Sequence, residues 1–71
     1  MTQIENEKCE RLCVDAILNI KQANKVYNSS YHTKTELKKA DSWYNYAIGI
    51  NQVLATLGYK SDSMIELTKL L

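Results

Sequence analysis

The stretch Ala40-Asp41-Ser42-Trp43-Tyr44-Asn45-Tyr46-Ala47-Ile48-Gly49-Ile50-Asn51-Gln52-Val53-Leu54-Ala55-Thr56-Leu57-Gly58 decides the fold. Within it Ala40, Trp43, Ala47, Ile50, Leu54 and Leu57 recur at alternating steps of three and four, the spacing that lines one face of an α-helix. Gly58 can adopt the left-handed conformation that stops a helix, and Tyr59 behind it can supply the apolar contact that accompanies such a stop. Upstream, Thr33 followed by Glu36 is a reciprocal N-terminal cap. The spacing therefore predicts a helix over 34–57.

The same rhythm appears once more, at Cys9, Cys13, Ala16, Ile20, Ala23 and Tyr27. Thr2 with Glu5 caps its start, and the polar cluster Asn28-Ser29-Ser30, whose side chains compete with the helical backbone for hydrogen bonds, ends it. A first helix over 3–27 follows. After the Lys60-Ser61-Asp62 link, Ser63 with Glu66 reads as a third cap and gives a short helix over 63–70. Two matched seams joined by a short loop specify an antiparallel helical hairpin, with Ala16, Ala23, Ala40 and Ala47 allowing close approach. The fold class is all-α: one domain over 1–71, a hairpin plus a short C-terminal helix.

A chain of 71 residues buries only about 60% of its unfolded surface and seldom builds a sufficient core alone. Two Cys, no Pro and two Gly exclude a disulfide scaffold and a turn-rich β fold. The 45% apolar fraction argues against disorder. No apolar run approaches the ~20 residues of a membrane span, and no basic segment leading into an apolar one opens the sequence, so neither a membrane helix nor a secretory leader is expected. The seams do not use all the apolar residues. Val14 and Leu18 point nearly opposite the first seam, while Tyr44 and Ile48 flank the second on one side and Tyr46 and Val53 on the other. Either the third helix covers this excess or copies of the chain do, and self-association into a homo-oligomeric bundle is the expectation.

The net charge of +1 conceals an asymmetry: residues 1–20 carry −2, residues 21–39 carry +4 and residues 40–71 carry −1. Lys21 and Lys25, one turn apart on the outer face of helix 1, either solubilise an interface rim or meet an anionic ligand there. Tyr27, Tyr31, Tyr44 and Tyr46 either fill interfaces or present flat faces to bases. A basic centre with several aromatics suits a nucleotide, and the opposite charge of the neighbouring segment argues against a nucleic-acid binder. Cys9 and Cys13 are half of a metal site at most, because zinc needs four ligands and the single His, His32, lies at the other end of helix 1. They read as small core residues, and no metal or cofactor is expected. His32 has no nucleophile or acid at supporting spacing, so no enzyme is expected. Gly49 inside helix 2 reads as a close contact with another helix.

The stretch Thr35 to Ile48, about 14 residues, resembles the second helix of a family of small phage anti-defence proteins. These are helical hairpins that act as sponges for the nucleotide signals of the CBASS and Thoeris systems. Thr35, Leu37, Ala40, Trp43, Ala47 and Ile48 carry the resemblance, with Asn45 a further match; the Ile20-Lys21 step is a looser one in helix 1. The chain departs from the family at Lys38 and Lys39, where acids are usual, and in the tail after Gly58. The resemblance implies a homo-oligomer, hexameric in some relatives, working in the host cytoplasm without membrane or nucleic-acid partners. It would sequester cyclic di- or trinucleotides or cyclic ADP-ribose-type signals without cleaving them. The ligand-binding residues so implied are Lys21 and Lys25 for phosphate, Tyr27, Tyr31 and Tyr44 for stacking, and Thr35 and Asn45 for orientation. The alternative is a small helical phage inhibitor that binds a host protein directly, as an anti-CRISPR or a replication or transcription inhibitor does.

Overall fold

The computed structural model describes residues 2–71, and these form three helices: α1 (Gln3–Tyr27), α2 (Lys34–Thr56) and α3 (Asp62–Leu70). The first two caps form where the sequence places them. The Glu5 backbone N–H donates to Thr2 Oγ1 at 3.2 Å, and the Glu36 N–H donates to Thr33 Oγ1 at 3.2 Å. Each glutamate reaches back to accept from its threonine's hydroxyl, at 3.0 and 3.3 Å.

At the end of α2, Gly58 sits at φ +76°. Its N–H donates to the Ala55 carbonyl at 3.0 Å, and the Tyr59 N–H donates to the Leu54 carbonyl at 2.9 Å. This pair of bonds is the Schellman arrangement, and its apolar seal is made by Tyr59 and Leu54, both in the core. Leu57 is the cap residue and is exposed, so α2 ends at Thr56, one residue earlier than the seam predicts.

The third cap differs from expectation. Ser61, not Ser63, caps α3 by accepting from the Met64 N–H at 3.1 Å, and the helix begins at Asp62. Ser63 and Glu66 are drawn elsewhere, into contacts with α1. The Ser63 hydroxyl donates to Glu10 Oε2, and Glu66 lies 3.4 Å from Lys21 Nζ. Tertiary partners outcompete the local cap.

The core is the predicted double seam, closed on one side by α3. Cys9, Cys13, Ala16, Ile20 and Ala23 from α1 and Ala40, Ala47 and Leu54 from α2 are buried. Ile17 joins them because Met64 and Leu67 of α3 pack over the same cluster. Trp43 and Ile50 are half-buried at the seam's margin. Gly49 corrects the sequence reading: among the described residues nothing lies within 4 Å of where its Cβ would stand, so no described helix approaches it closely. The result is a rod of 44 × 17 × 17 Å whose α3 lies mainly along α1. No described helix is long and apolar enough to cross a membrane.

Candidate functional site

The basic end of the rod is built by the last turns of α1, the 28–33 loop and the first turns of α2. Ser29 organises the loop: its hydroxyl donates to the Tyr31 carbonyl at 2.8 Å and accepts from the Tyr31 N–H at 3.3 Å. His32 Nδ1 lies 3.3 Å from the Ser29 carbonyl, so the single histidine is a loop residue. This turn leaves the Tyr31 side chain 92% exposed beyond the end of both helices.

Tyr27 and Tyr44 come together, but around an acid. The Tyr27 hydroxyl donates to Asp41 Oδ1 at 2.5 Å, and its ring meets Tyr44 edge to face with centroids 6.2 Å apart at 71°. The Asp41 hydrogen bond, partial desolvation and the aspartate's charge push the Tyr27 phenol up to about 12. Tyr44 in turn packs on the core cluster. The pair is thus a clasp between the two helices whose hydroxyl and ring edges are already used.

The lysines part company. Lys21 faces α3 and pairs with Glu66, both side chains more than half exposed, an interaction worth no more than about 1 kcal/mol. Lys25, one turn on, borders an open hollow of about 300 Å³ with Gln22, Val26, Ser29, Glu36 and Trp43. That volume is at the lower limit of about 300 Å³ for small-molecule sites. Trp43 and Tyr44 are successive residues, about 100° apart around α2, so they straddle the seam and open to opposite sides of the hairpin. The predicted set therefore divides. Lys21, Tyr27 and Tyr44 lie on the α3 side, and Lys25 lies with Trp43 across the hairpin. Thr35 is exposed in the first turn of α2, and Asn45 is exposed on its outer face.

Two groups escaped the sequence reading. Trp43 read as seam filler, yet its half exposure makes it a wall of the Lys25 hollow. Glu10 counted only as charge, yet it accepts hydrogen bonds from Tyr59 at 2.6 Å, from Ser61 at 2.9 Å and from Ser63. Those hydroxyls, Ser63 first and then Tyr59, hold its carboxyl below the usual carboxylate value against the opposing effect of burial. The only hint was the alternation of hydroxyl residues at 59, 61 and 63, and no local spacing rule connects them to a position 50 residues away. Cys9 and Cys13 are buried thiols rather than a disulfide, and burial pushes the Cys13 thiol up, with Glu10 and Glu66 adding to the shift. No group of three or more His, Cys, Asp or Glu among the described residues could hold a metal ion.

Comparison with known proteins finds no matching family model, curated protein or solved structure.

Proposed function

We propose that this chain is a phage anti-defence protein that binds a cyclic nucleotide messenger and withholds it, without cleaving it, from a host CBASS- or Thoeris-type effector. The observation that carries the reading is the juxtaposition of Lys25 with the half-buried Trp43 in a hollow at the basic end of the rod. A cation beside an aromatic face is what a phosphate joined to a base requires. The resemblance of Thr35 to Ile48 to the sponge family supports the same class of ligand. In this reading Lys25 pairs with phosphate and Trp43 offers the principal stacking face. Tyr31 is free to fold over the ligand, and Thr35 and Asn45 orient it or bridge protomers. Lys21, on the α3 side with Glu66, lies outside this hollow and reaches a ligand only from another protomer. The copies work as a homo-oligomer, and the mechanism is mass action: protein in excess lowers the free messenger below the level that activates the effector.

The test is thermal unfolding against a panel of cyclic dinucleotides, cyclic trinucleotides and cyclic ADP-ribose isomers. A ligand at about 100 times its Kd stabilises the folded state by about 2.7 kcal/mol. For a domain of this size that raises Tm by about 10–20 °C. The nucleotide should be recovered unaltered after heat denaturation. If no panel member moves Tm, the reading is lost, and direct inhibition of a host protein takes its place.

A further inference from the structure

The hollow that holds Lys25 and Trp43 is also lined by an acid, Glu36. Cation and acid do not neutralise each other there: among the described residues neither Lys25 nor Glu36 takes part in an ion pair. The cap of α2 holds the acid in place. Thr33 Oγ1 donates to Glu36 Oε1 at 3.3 Å and accepts from the Glu36 N–H at 3.2 Å. Glu36 Oε2 has no partner among the described residues. A phosphate alone suits such a hollow poorly, because the carboxylate repels what the ammonium attracts. A ligand that brings an anionic group to one place and a hydrogen-bond donor to another suits it well, since an ionised carboxylate only accepts.

Position along the helices says which donor. Glu36 and Trp43 are seven residues apart, so they share one side of α2 and stand about 10 Å apart along its axis. The Tyr27 to Asp41 bond shows α1 running back beside α2. Gln22 therefore lies toward Trp43 and Ser29 toward Glu36, with Lys25 between them. A base stacked on Trp43 is followed by its ribose and then by the phosphate link, which falls at Lys25. The next group along a cyclic di- or trinucleotide is a second ribose, and the same order holds where a pyrophosphate replaces the phosphodiester. A hollow of about 300 Å³, at the lower limit for small-molecule sites, takes one base, one phosphate link and the edge of the next sugar rather than two bases. An acidic side chain on a ribose hydroxyl is also how dinucleotide-binding folds hold their sugar.

On the premise that the hollow captures a nucleotide, we propose that Glu36 accepts from a free ribose hydroxyl of that ligand and so selects ribonucleotide messengers against their deoxyribose analogues. The acid acts in both directions. A ribose hydroxyl replaces the water that the carboxylate gives up, whereas a deoxyribose brings no donor and leaves an uncompensated negative charge beside the phosphate. A hydrogen bond to a charged group changes affinity by about 10- to 100-fold.

Isothermal titration of the full chain tests it. Cyclic di-AMP and the other members of the panel are each compared with the analogue whose free ribose hydroxyls are replaced by hydrogen. The ribose form should bind about 10- to 100-fold more tightly. Glu36→Ala should abolish that preference, and Glu36→Gln, which keeps both the cap and a neutral acceptor, should reduce it. Lys25→Ala should weaken both forms alike. Because the preference compares two ligands on one protein, a Glu36 that served only the cap would leave it unchanged. Should Glu36→Ala fail to fold, Glu36→Gln carries the comparison. A panel member that binds no more tightly than its deoxyribose analogue, or a preference that survives loss of the acid, overturns the role of Glu36 and leaves nucleotide capture standing. If no member of the panel binds, nucleotide capture and the role of Glu36 fall together.

Discussion

The Tyr59 hydroxyl donates to Glu10 Oε1 at 2.6 Å across 49 positions of sequence, and this bond fixes where α3 begins. Tyr59 is placed by the Schellman stop of α2, and Glu10 lies one position from the buried Cys9 on α1. With Ser61 and Ser63 on the same carboxylate, one side chain of α1 holds the whole link that turns the chain into α3.

Acid should loosen that link first. The Glu10 carboxyl is depressed below its ordinary 4.5, so its contribution to stability is full above pH 4.5 and is lost as pH falls through the depressed value. Glu10→Gln should remove this part of the acid transition. Amide exchange over residues 59–70 would check it: the wild type should lose protection there on acidification before it does in α1 and α2, and the variant should be less protected there than the wild type at neutral pH.

Alkali should act at the other end. The Tyr27 phenol stands at about 12 against an ordinary 10.0, so the Asp41 bond contributes fully below pH 10 and is lost as pH rises through about 12. Tyr27→Phe should remove the last phenol to ionise in a spectrophotometric titration of the five tyrosines. An unchanged late phase would place that phenol elsewhere.

The two glycines should respond to alanine with opposite signs. At Gly58, φ +76° is costly for a side chain, and Gly58→Ala should destabilise by about 1–2 kcal/mol. At Gly49 there is room for a Cβ within a helix, and Gly49→Ala should stabilise by about 0.5–1 kcal/mol. Urea unfolding of both variants measures the difference, and a loss of stability at Gly49 would show that a second chain approaches it.

The two lysines should separate stability from binding. Lys25→Ala should lower the ligand-induced rise in Tm and leave the ligand-free stability within about 0.5 kcal/mol of the wild type, as exposed substitutions usually do. Lys21→Ala should cost up to about 1 kcal/mol through its partner Glu66 and reduce the ligand-induced rise less. The reverse order would move the phosphate contact to the α3 side.

What the sequence made legible was whatever local periodicity and capping govern. The seams at Cys9 to Ala23 and Ala40 to Leu54, the caps at Thr2 and Thr33 and the stop at Gly58 depend on neighbours within a turn or two, and all of them form. The start of α3 was not legible, because Ser63 and Glu66 answer to Glu10 and Lys21 rather than to each other. Leu57 fits the seam's rhythm, yet the helix has ended before it. At the site, spacing placed Lys21 and Lys25 on one face but could not show that an acid on α3 stands beside only the first. The resemblance put Tyr27 and Tyr44 forward for stacking without registering Asp41, and the spacing assigned Trp43 to a seam it only half enters.

The most direct test uses Trp43, the chain's single tryptophan, as its own reporter. Titrating the cyclic nucleotide panel while exciting only the indole should quench or shift its emission saturably with at least one member, and Lys25→Ala should weaken that response. Emission indifferent to every member of the panel would contradict nucleotide capture at the Lys25 and Trp43 hollow.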